Sequence, residues 1–416
     1  MKIVHITASY KPAYIYGGPI QSVGKLCEVL AGAGKLTEEQ FCHNRSFDYA
    51  QYTGILVEVL STTANGKYEL DVETGRQQIV DGVPVTYFKR RTKDHSHFSP
   101  ELLYALRRML QQARHDKVKL IIHIHAWWNL VSVLSCLVAK WYNVPVVLSP
   151  RGMLTSYTQH NRNSIAKKLI HNLIGKRLLK YCHIHATGEQ EKEDVLKIIK
   201  PKSITVIPNL VKLGYQAASS IYRVSSGTDQ ERDGIFKMIF LSRIEEKKGL
   251  ELLFEALANV NFSWTLTIAG SGTDEYLKSL KIKAERLKLN HLIQWTGQIS
   301  NENKFNLLAE HDLCVLTSYN ENFANIVIES LSAGTAVLLS DKVGLAGYVA
   351  DKGFGWVTTL HIEGISRKLT GASEDKLRRD LIRATAPQQI REDFDDEVLV
   401  LKYLDLYKEA LRADAD

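Results

Sequence analysis

The chain has 416 residues, of which 45% are hydrophobic and 24% are charged, and its formal net charge is +7 at pH 7. These values are typical of globular proteins and exclude a disordered chain. The length exceeds what one ordinary hydrophobic core accommodates, so we expect two domains.

The chain begins with a short apolar run, M-K-I-V-H-I-T-A, followed by polar residues and Pro12. This run is too short for a signal peptide and predicts a first strand. No apolar stretch has transmembrane length, since the longest candidate, Leu130 to Ala139, has about half the required span. The five cysteines lack C-x-x-C spacing, which favours reduced thiols in a cytoplasmic protein.

Short β-rich runs alternate with helical segments along most of the chain. Strand candidates in the first half are K-I-V-H-I-T, K-L-I-I-H-I-H, V-P-V-V-L-S, H-I-H-A-T and I-T-V-I-P, and those in the second half are F-K-M-I-F-L-S, W-T-L-T-I-A-G, L-I-Q-W-T-G, L-C-V-L-T-S and A-V-L-L-S. Ser99 followed by Pro100 is typical of a helix start. Strands that alternate with helices predict parallel sheets covered on both faces, and therefore an α/β fold with two doubly wound halves.

A polar, Ser-rich stretch from Leu213 to Gly234 interrupts this pattern and marks the domain boundary. We predict an N-terminal domain over residues 1–210, a linker over 211–235, a C-terminal domain over 236–390 and a terminal helical segment over 391–416. Ligands of open α/β sheets bind beyond the carboxyl ends of the strands. A cleft between the two domains is therefore the expected site.

A basic segment lies in the first half, because the stretch from Lys117 to Gly188 contains ten Lys and Arg residues and no Asp or Glu. Apolar residues recur at helical spacing in its part around residues 160–180. One interpretation is a helix with an apolar buried face and a solvated basic face. The other is a surface that meets anionic lipid head groups or a phosphorylated substrate. No nucleic-acid motif accompanies the charge, so we expect no nucleic-acid partner.

Two motifs of the second half indicate a phosphate site. In L-S-R-I-E-E-K-K-G-L, Arg243 and Lys248 follow a strand, where a guanidinium and an ammonium suit two phosphates of one ligand. The alternative is surface charges that pair with Glu245 or Glu246. In E-N-F-A-N-I-V-I-E, a helix that begins near Ala324 offers backbone amides and a positive dipole end to an anion.

The same motif contains two glutamates, eight positions apart. Glu321 lies ahead of the helix and suits neutral sugar hydroxyls, whereas Glu329 lies within the helix and could accept two hydroxyls of a ribose. The alternative is that both are surface acids on either side of a buried apolar stripe.

The first half has weaker signals of its own. His123 and His125 lie on one face of a strand, with His125 nearer its end, where a neutral imidazole could donate to a sugar hydroxyl. The alternative is a pair of satisfied core histidines, which we favour for His123 more than for His125. A metal site would need further ligands, and other histidines lie on other strands. Gly17 and Gly18 precede a helix and allow a close approach of the backbone to a ligand.

Taken together, these motifs resemble glycosyltransferase family 4, retaining enzymes of the GT-B fold with two Rossmann-like domains facing across a cleft. The chain has the family's E-x7-E and R-x4-K-G segments, with I-A-G-S-G, W-T-G, H-I-H-A, S-P-R-G-M-L and I-P-N in the usual order. S-P-R-G-M-L resembles members from bacterial polysaccharide gene clusters. The resemblance also implies that the C-terminal helix returns to the N-terminal domain.

The resemblance implies a role for each matching residue. It assigns catalytic roles to His125, Glu321, Arg243 and Lys248: the two cations bind the donor diphosphate, Glu321 holds the transferred sugar and His125 touches that sugar from the other domain. It assigns donor binding to Gly17, Gly18, Gly270, Asn322, Phe323, Ala324, Asn325, Ile326 and Glu329. Among these, Glu329 takes the ribose. Arg151 lies where the family meets acceptor or donor, and the choice stays open.

The implied reaction moves a hexose from a nucleotide diphosphate sugar to an acceptor hydroxyl, with retention and with no metal or cofactor. The implied acceptor is a glycan or lipid-linked oligosaccharide in bacterial surface polysaccharide or lipopolysaccharide synthesis. The enzyme would then be cytoplasmic and peripheral on the inner face of the membrane. Ala324 and Ala336 replace the family's usual Gly and Pro, and Asn209 lacks the usual following Gly. The alternatives are a non-catalytic nucleotide-sugar-binding protein and a GT-B phosphorylase or epimerase.

Overall fold

The computed structural model describes residues 1–33, 54–94, 96–155, 174–214, 234–300 and 302–414. The chain divides into two units: unit 1 consists of Met1–Leu210 with Asp396–Asp416, and unit 2 of Val211–Asp395. Each unit has one main sheet, almost wholly parallel, and helices separate most successive strands, although the strands between Leu56 and Phe88 of unit 1 follow one another directly. The predicted α/β fold with two Rossmann-like domains is confirmed.

Among the described residues, the main sheet of unit 1 has eight strands, in the order β10-β9-β8-β7-β1-β2-β6-β5. All neighbours are parallel except β5 and β6, which form an antiparallel pair at one edge. The strands are β1 Lys2–Thr7, β2 Leu56–Thr62, β5 Gln77–Val80, β6 Val83–Phe88, β7 Leu120–His125, β8 Val146–Ser149, β9 His183–Ala186 and β10 Ser203–Val206, with a small separate pair β3 Ala64–Asn65 and β4 Tyr68–Glu69.

The helices of unit 1 that precede the domain boundary are α1 Gly18–Ala33, α2 Pro100–His115, α3 Leu130–Trp141, α4 Lys176–Tyr181 and α5 Glu189–Ile198. The predicted start of α2 is confirmed, because the Ser99 hydroxyl accepts from the Leu102 amide at 3.4 Å and Pro100 occupies the first turn. Leu102, Leu106 and Leu110 recur along one face of α2 and are buried against the sheet.

In the part of unit 2 that the structure describes, the sheet has six parallel strands in the order β13-β12-β11-β14-β15-β16. They are β11 Phe236–Leu241, β12 Trp264–Ala269, β13 Ile293–Gly297, β14 Leu313–Leu316, β15 Ala336–Ser340 and β16 Gly355–Thr358. The helices are α6 Leu250–Leu257, α7 Asp274–Arg286, α8 Lys304–Ala309, α9 Asn325–Ser332, α10 Ala346–Lys352, α11 Ile362–Glu374 and α12 Lys376–Asp393. The chain order changes direction between β11 and β14, so the loops after these two strands adjoin.

The last helix, α13 (Asp396–Ala413), packs in unit 1, as predicted. Its Asp396 pairs with Lys25 of α1 at 2.5 Å, and Tyr403 and Tyr407 are buried. The predicted boundary at residue 391 is five residues too early. Residues up to 395 belong to unit 2, because the Phe394 ring packs against Phe323 at a centroid distance of 6.2 Å.

Two other predictions fall mainly on residues that lie outside the described ones. Most of the part of the basic segment around residues 160–180 is within 156–173, and most of the predicted linker is within 215–233. The described cysteines, Cys27, Cys136, Cys182 and Cys314, are free and buried. None of the helices in the described ranges combines the length and apolar character that crossing a bilayer requires.

Candidate active site

The loops that follow β11, β12 and β14 in unit 2 are joined by backbone hydrogen bonds. The Ile244 amide donates to the Ser271 carbonyl at 2.8 Å, and the Tyr319 amide donates to the Lys247 carbonyl at 2.9 Å. These bonds fix the backbone of three loops against one another at the carboxyl ends of the strands. The backbone positions from which the side chains of these three loops project are therefore fixed.

Two glycines make this close approach possible. Gly270 has φ +147°, and a Cβ there would overlap the carbonyl oxygen of Ser242. Gly249 has φ +68°, and a Cβ there would overlap the carbonyl oxygen of Thr317. Gly270 was predicted to bind the donor, and the structure gives it a packing role that brings two loops together.

Lys248 and Glu321 form a buried ion pair at this edge of the sheet. Lys248 is 6% exposed, and its Nζ contacts Oε1 of Glu321, whose side chain is 14% exposed. Burial lowers the pKa of Lys248, while the Glu321 carboxylate opposes that shift. The sequence singled out both residues but did not predict that they would pair with each other. The alternative, two exposed surface charges, is wrong for this pair.

Arg243 has a different partner. Its Nη1 lies 2.5 Å from Oε1 of Glu245 in the same loop, and both side chains are about one-third exposed. This contact matches the alternative of a local surface pair. Arg243 is nonetheless close enough to Lys248 for its charge to contribute to the lowered pKa of Lys248. The two predicted diphosphate ligands are thus neighbours.

Helix α9 begins directly after Ala324, as predicted. Ala324 has φ +68° and ψ +77°, and no side chain caps the helix start. The first turn contains no acidic residue. The positive end of the helix dipole therefore lies beside the Lys248–Glu321 pair with no carboxylate in its first turn, an arrangement that favours an anion.

Glu329, in the second turn of α9, is 4% exposed. Its Oε1 lies 2.5 Å from Nζ of Lys304, the first residue of α8, and Lys304 is 5% exposed. The alternative of a surface acid is therefore wrong for Glu329. The sequence analysis missed Lys304, because no motif or periodicity distinguishes it from other lysines before a helix.

Unit 1 carries a buried hydrogen-bond network whose proton positions follow from one backbone acceptor. His185 Nε2 lies 2.8 Å from the Ile207 carbonyl, which can only accept, so Nε2 carries the hydrogen. His185 Nδ1 then accepts from Ser149 Oγ at 2.6 Å, Ser149 Oγ accepts from His123 Nε2 at 2.7 Å, and His123 Nδ1 accepts from Tyr407 Oη at 2.7 Å. His123 is thus a satisfied core histidine.

His125, at the end of β7, is 1% exposed and has neighbours at both ring nitrogens. Its Nδ1 lies 3.4 Å from Nη2 of Arg151, which can only donate, so the His125 hydrogen is on Nε2 and points to His5 Nδ1 at 2.9 Å. His5 Nε2 is buried and has no partner among the described residues. Both nitrogens of His125 are thus engaged within unit 1, and its contact with the donor sugar stays a prediction.

Arg151 follows β8 with φ +53° and collects neutral partners from three other elements. Its Nη1 donates to Ser22 Oγ and to Asn209 Oδ1, each at 3.0 Å, while Nη2 faces His125. Within the described part of the chain no carboxylate lies within ion-pair distance of this guanidinium. Burial lowers the pKa of Arg151, and nearby groups that include Glu191 oppose the shift.

The sequence analysis missed three residues that hold Arg151. Ser22 and Asn209 are its direct partners, and Glu191 fixes its loop, since the carboxylate accepts from the Gly152 amide at 2.6 Å and the Thr187 amide at 2.8 Å. Only the Asn of I-P-N gave a signal in the sequence. Gly17, with φ +68°, directly precedes α1, the helix that carries Ser22.

The ring nitrogens of His5, His123 and His125 lie within 4.8 Å of one another, a spacing that could hold a metal ion. In the tautomers derived above, each unprotonated nitrogen of these rings already accepts a hydrogen bond. The Arg151 guanidinium beside His125 adds a positive charge that opposes a cation. The donor set therefore fits a neutral hydrogen-bond network better than a metal site.

Comparisons with known proteins agree with this geometry. Residues 49–215 match the family model described as Glycosyltransferase Family 4, and residues 228–388 match the model described as Glycosyl transferases group 1. The Lys248–Glu321 pair and α9 lie within the second match, and Arg151 lies within the first. The fold and the matches define a GT-B glycosyltransferase, and the chain belongs to the family 4 type of these enzymes.

Several relatives illustrate the range of that class. The chain is 23% identical to glycogen synthase of Mycobacterium tuberculosis over 71% of this chain and 70% of the relative. It is 22% identical to GDP-mannose:cellobiosyl-diphosphopolyprenol alpha-mannosyltransferase of Xanthomonas campestris, over 99% and 97%. The structure of Anabaena HepE in complex with UDP and glucose is similar, with a TM-score of 0.68 and 18% identity, over 98% of this chain and all of HepE.

We expect the stability of unit 1 to fall as the pH is lowered. The pKa values of His5 and His185 are depressed to about 3, and burial also holds those of His123 and His125 well below the usual 6.5. Below pH 6.5 the unfolded chain binds protons that the folded chain does not, so the free energy of unfolding decreases from about pH 6.5 towards about pH 3.

Denaturant unfolding at pH 7, 6 and 5 measures this effect. His185→Gln should reduce the pH dependence by up to one proton, or about 1.4 kcal/mol per pH unit. His115→Gln is the matched control, since the His115 side chain is exposed. An unchanged pH dependence in the His185 variant would contradict the assignment of a neutral buried imidazole.

Replacing Ala324 with Gly should stabilise unit 2. Ala324 has a left-handed backbone conformation that is unfavourable for a residue with a Cβ, so Ala324→Gly should gain about 0.5–1 kcal/mol after the greater freedom of Gly in the unfolded chain is allowed for. Ala333→Gly, at the right-handed end of the same helix, should instead lose about that amount. Urea unfolding of the two variants gives the comparison, and equal losses would argue against strain at Ala324.

Proposed function

We propose that the chain transfers a hexose from a nucleotide diphosphate sugar to an acceptor hydroxyl, with retention of the anomeric configuration and without a metal ion. One observation in unit 2 carries this proposal: the buried Lys248–Glu321 pair lies next to the uncapped start of α9. A cation and a helix dipole suit the diphosphate, and a carboxylate suits the hydroxyls of the sugar.

The leaving diphosphate gains negative charge as the glycosidic bond breaks. Lys248, Arg243 and the amides of Asn325 and Ile326 would stabilise that charge, which removes the need for a divalent cation. Donor phosphate would compete with Glu321 for the Lys248 ammonium. Glu321 would then be available to accept hydrogen bonds from the sugar, together with the backbone of Asn322 and Phe323.

Retention requires attack from the face that the leaving group occupies, or a covalent intermediate. We favour the former, since the proposal assigns Glu321 to the sugar hydroxyls and leaves no carboxylate assigned to the anomeric carbon. In this mechanism the departing phosphate accepts the proton of the acceptor hydroxyl. Arg151 is the candidate group for the acceptor, because its charge lacks a carboxylate partner among the described residues and its fork is held in one orientation.

The alternatives have less support. An epimerase would need a carboxylate pair in the first half, and the Glu191 carboxylate there is occupied by the Gly152 amide and by Thr187. A phosphorylase would release sugar 1-phosphate, which product analysis detects. The HepE structure is a complex with UDP and glucose, and the Xanthomonas enzyme is named for GDP-mannose and a diphosphopolyprenol acceptor. Donor candidates for this chain therefore include both bases.

A face of unit 1 supports a lipid-linked acceptor. Trp141 at the end of α3 is 82% exposed and Tyr104 of α2 is 64% exposed, although both are large and apolar. Basic residues lie on the same helices: Arg107 of α2 contacts the Tyr142 hydroxyl at 3.2 Å, and Lys140 of α3 contacts the Arg177 carbonyl of α4 at 3.5 Å. An aromatic surface with a basic rim suits an anionic membrane surface. We propose that this face, on α2, α3 and α4, is where the enzyme meets the bilayer.

The catalytic proposal predicts that binding and turnover can be separated. UDP- and GDP-sugars are screened by thermal shift, and the donor is the one that stabilises the chain by mass action. Glu321→Gln should keep that shift and lose about a hundredfold or more in transfer rate, because a polar contact to the reacting sugar is removed. Glu255→Gln on α6, at a partly exposed surface pair, is the control.

Two results would contradict the proposal. Donor binding without transfer to any glycan or lipid-linked acceptor would favour the non-catalytic binding protein. An unchanged rate in the Glu321 variant would remove Glu321 from the reaction.

The membrane proposal predicts weaker vesicle binding when the charge of this face is reduced. The double variant Lys176→Gln and Arg177→Gln should bind vesicles of phosphatidylglycerol and phosphatidylcholine roughly thirtyfold less tightly, at about 1 kcal/mol for each of the two charges. Lys278→Gln with Lys376→Gln removes two exposed charges from unit 2 and is the control. Cosedimentation measures both. Equal losses in the two double variants would show that net charge, and not this face, governs binding.

A further inference from the structure

Lys304 and Glu329 form an ion pair that is almost wholly buried. Lys304 is 5% exposed and Glu329 is 4% exposed, and their charged atoms are 2.5 Å apart. They belong to different helices, α8 and α9, which pack against each other in unit 2. The pair therefore depends on the tertiary structure. It links the helix that precedes β14 in the chain to the helix that follows it.

Burying an ion pair costs free energy, because both charged groups lose their hydration. In the described part of the chain, Lys304 is the only residue with a hydrogen bond to the Glu329 carboxylate. An ionised carboxylate can accept about four hydrogen bonds. Acceptor capacity on Glu329 therefore remains after the Lys304 contact is made.

That capacity suits the vicinal hydroxyls of a ribose. A carboxylate accepts two hydrogen bonds from a 2′,3′-diol and only one from a 2′-deoxyribose. A nucleoside diphosphate is itself an anion, however, and an uncompensated carboxylate nearby would repel it. The ammonium of Lys304 offsets the charge of Glu329 and also fixes the orientation of its carboxylate.

We propose that Lys304 is a positioning residue that makes the donor site selective for ribose over 2′-deoxyribose. The inference rests on the proposed contact between Glu329 and the ribose of the donor. Lys304 acts through Glu329 and does not touch the nucleotide. Its removal therefore weakens the ribonucleotide much more than the deoxyribonucleotide, whereas loss of a merely structural ion pair would weaken both alike.

The experiment measures the dissociation constants of UDP, 2′-deoxy-UDP, GDP and 2′-deoxy-GDP by calorimetry. The variants are Lys304→Met, Lys304→Arg, Glu329→Gln and the double variant Lys304→Met with Glu329→Gln. The double variant leaves no unpaired buried charge and thus keeps the test usable if Lys304→Met fails to fold. Lys283→Met, which breaks the Lys283–Glu255 pair between α7 and α6, is the matched control.

We expect the unaltered chain to prefer the ribonucleotide by about tenfold or more, the value for one hydrogen bond to a charged group. Lys304→Met, Glu329→Gln and the double variant should abolish most of that preference, while Lys304→Arg and Lys283→Met should keep it. A preference that survives in Lys304→Met but not in Glu329→Gln overturns the role of Lys304. If Lys304→Met does not fold, a preference that survives in the double variant overturns the same inference. A preference that is absent from the unaltered chain, or that survives in Glu329→Gln, overturns the proposed ribose contact itself.

Discussion

The candidate active site depends on ion pairs whose charged groups are buried away from water. Lys248 and Lys304 are both nearly inaccessible to solvent, and each contacts one of the two glutamates of the E-x7-E segment. In a low-dielectric environment neither lysine would be stable as a cation without its partner. The two glutamates thus hold two buried cations in unit 2, and under the proposed function a donor diphosphate would compete with Glu321 for Lys248.

Unit 1 uses the opposite electrostatic arrangement. His5, His123, His125 and His185 are buried and neutral, and the direction of every hydrogen bond from Tyr407 to Ile207 follows from the Ile207 carbonyl, which can only accept. Arg151 lies beside this network and takes neutral partners. Its guanidinium is held in one position, and no carboxylate of the residues that the structure describes forms an ion pair with it. A fixed and uncompensated guanidinium is suited to an anionic or strongly polar group of a substrate.

Under the proposed function, the paired cations and the helix dipole of unit 2 would serve the phosphate-bearing donor. The oriented Arg151 and the exposed aromatic and basic residues of unit 1 would serve the acceptor. The last helix contributes to unit 1 through Tyr403 and Tyr407, which reach the histidine network. The return of α13 is therefore part of what orders the residues around His125, in addition to the core that it covers.

The sequence by itself determined ten of the strands, the two parallel sheets and the positions of Arg243, Lys248, Glu321 and Glu329, because hydrophobic periodicity and loop motifs are local signals. It missed the strands between Leu56 and Phe88 and the last strand, Gly355–Thr358, and the return of the last helix was expected from the family resemblance alone. Only the tertiary structure decided the partners. Lys248 meets Glu321 across 73 positions, Lys304 meets Glu329 across 25, and His125 meets His5 across 120. The boundary at residue 395 was likewise set by the packing of Phe394. Such contacts depend on how strands and helices pack in three dimensions. The periodicity of the sequence does not specify which two charged side chains are buried against each other.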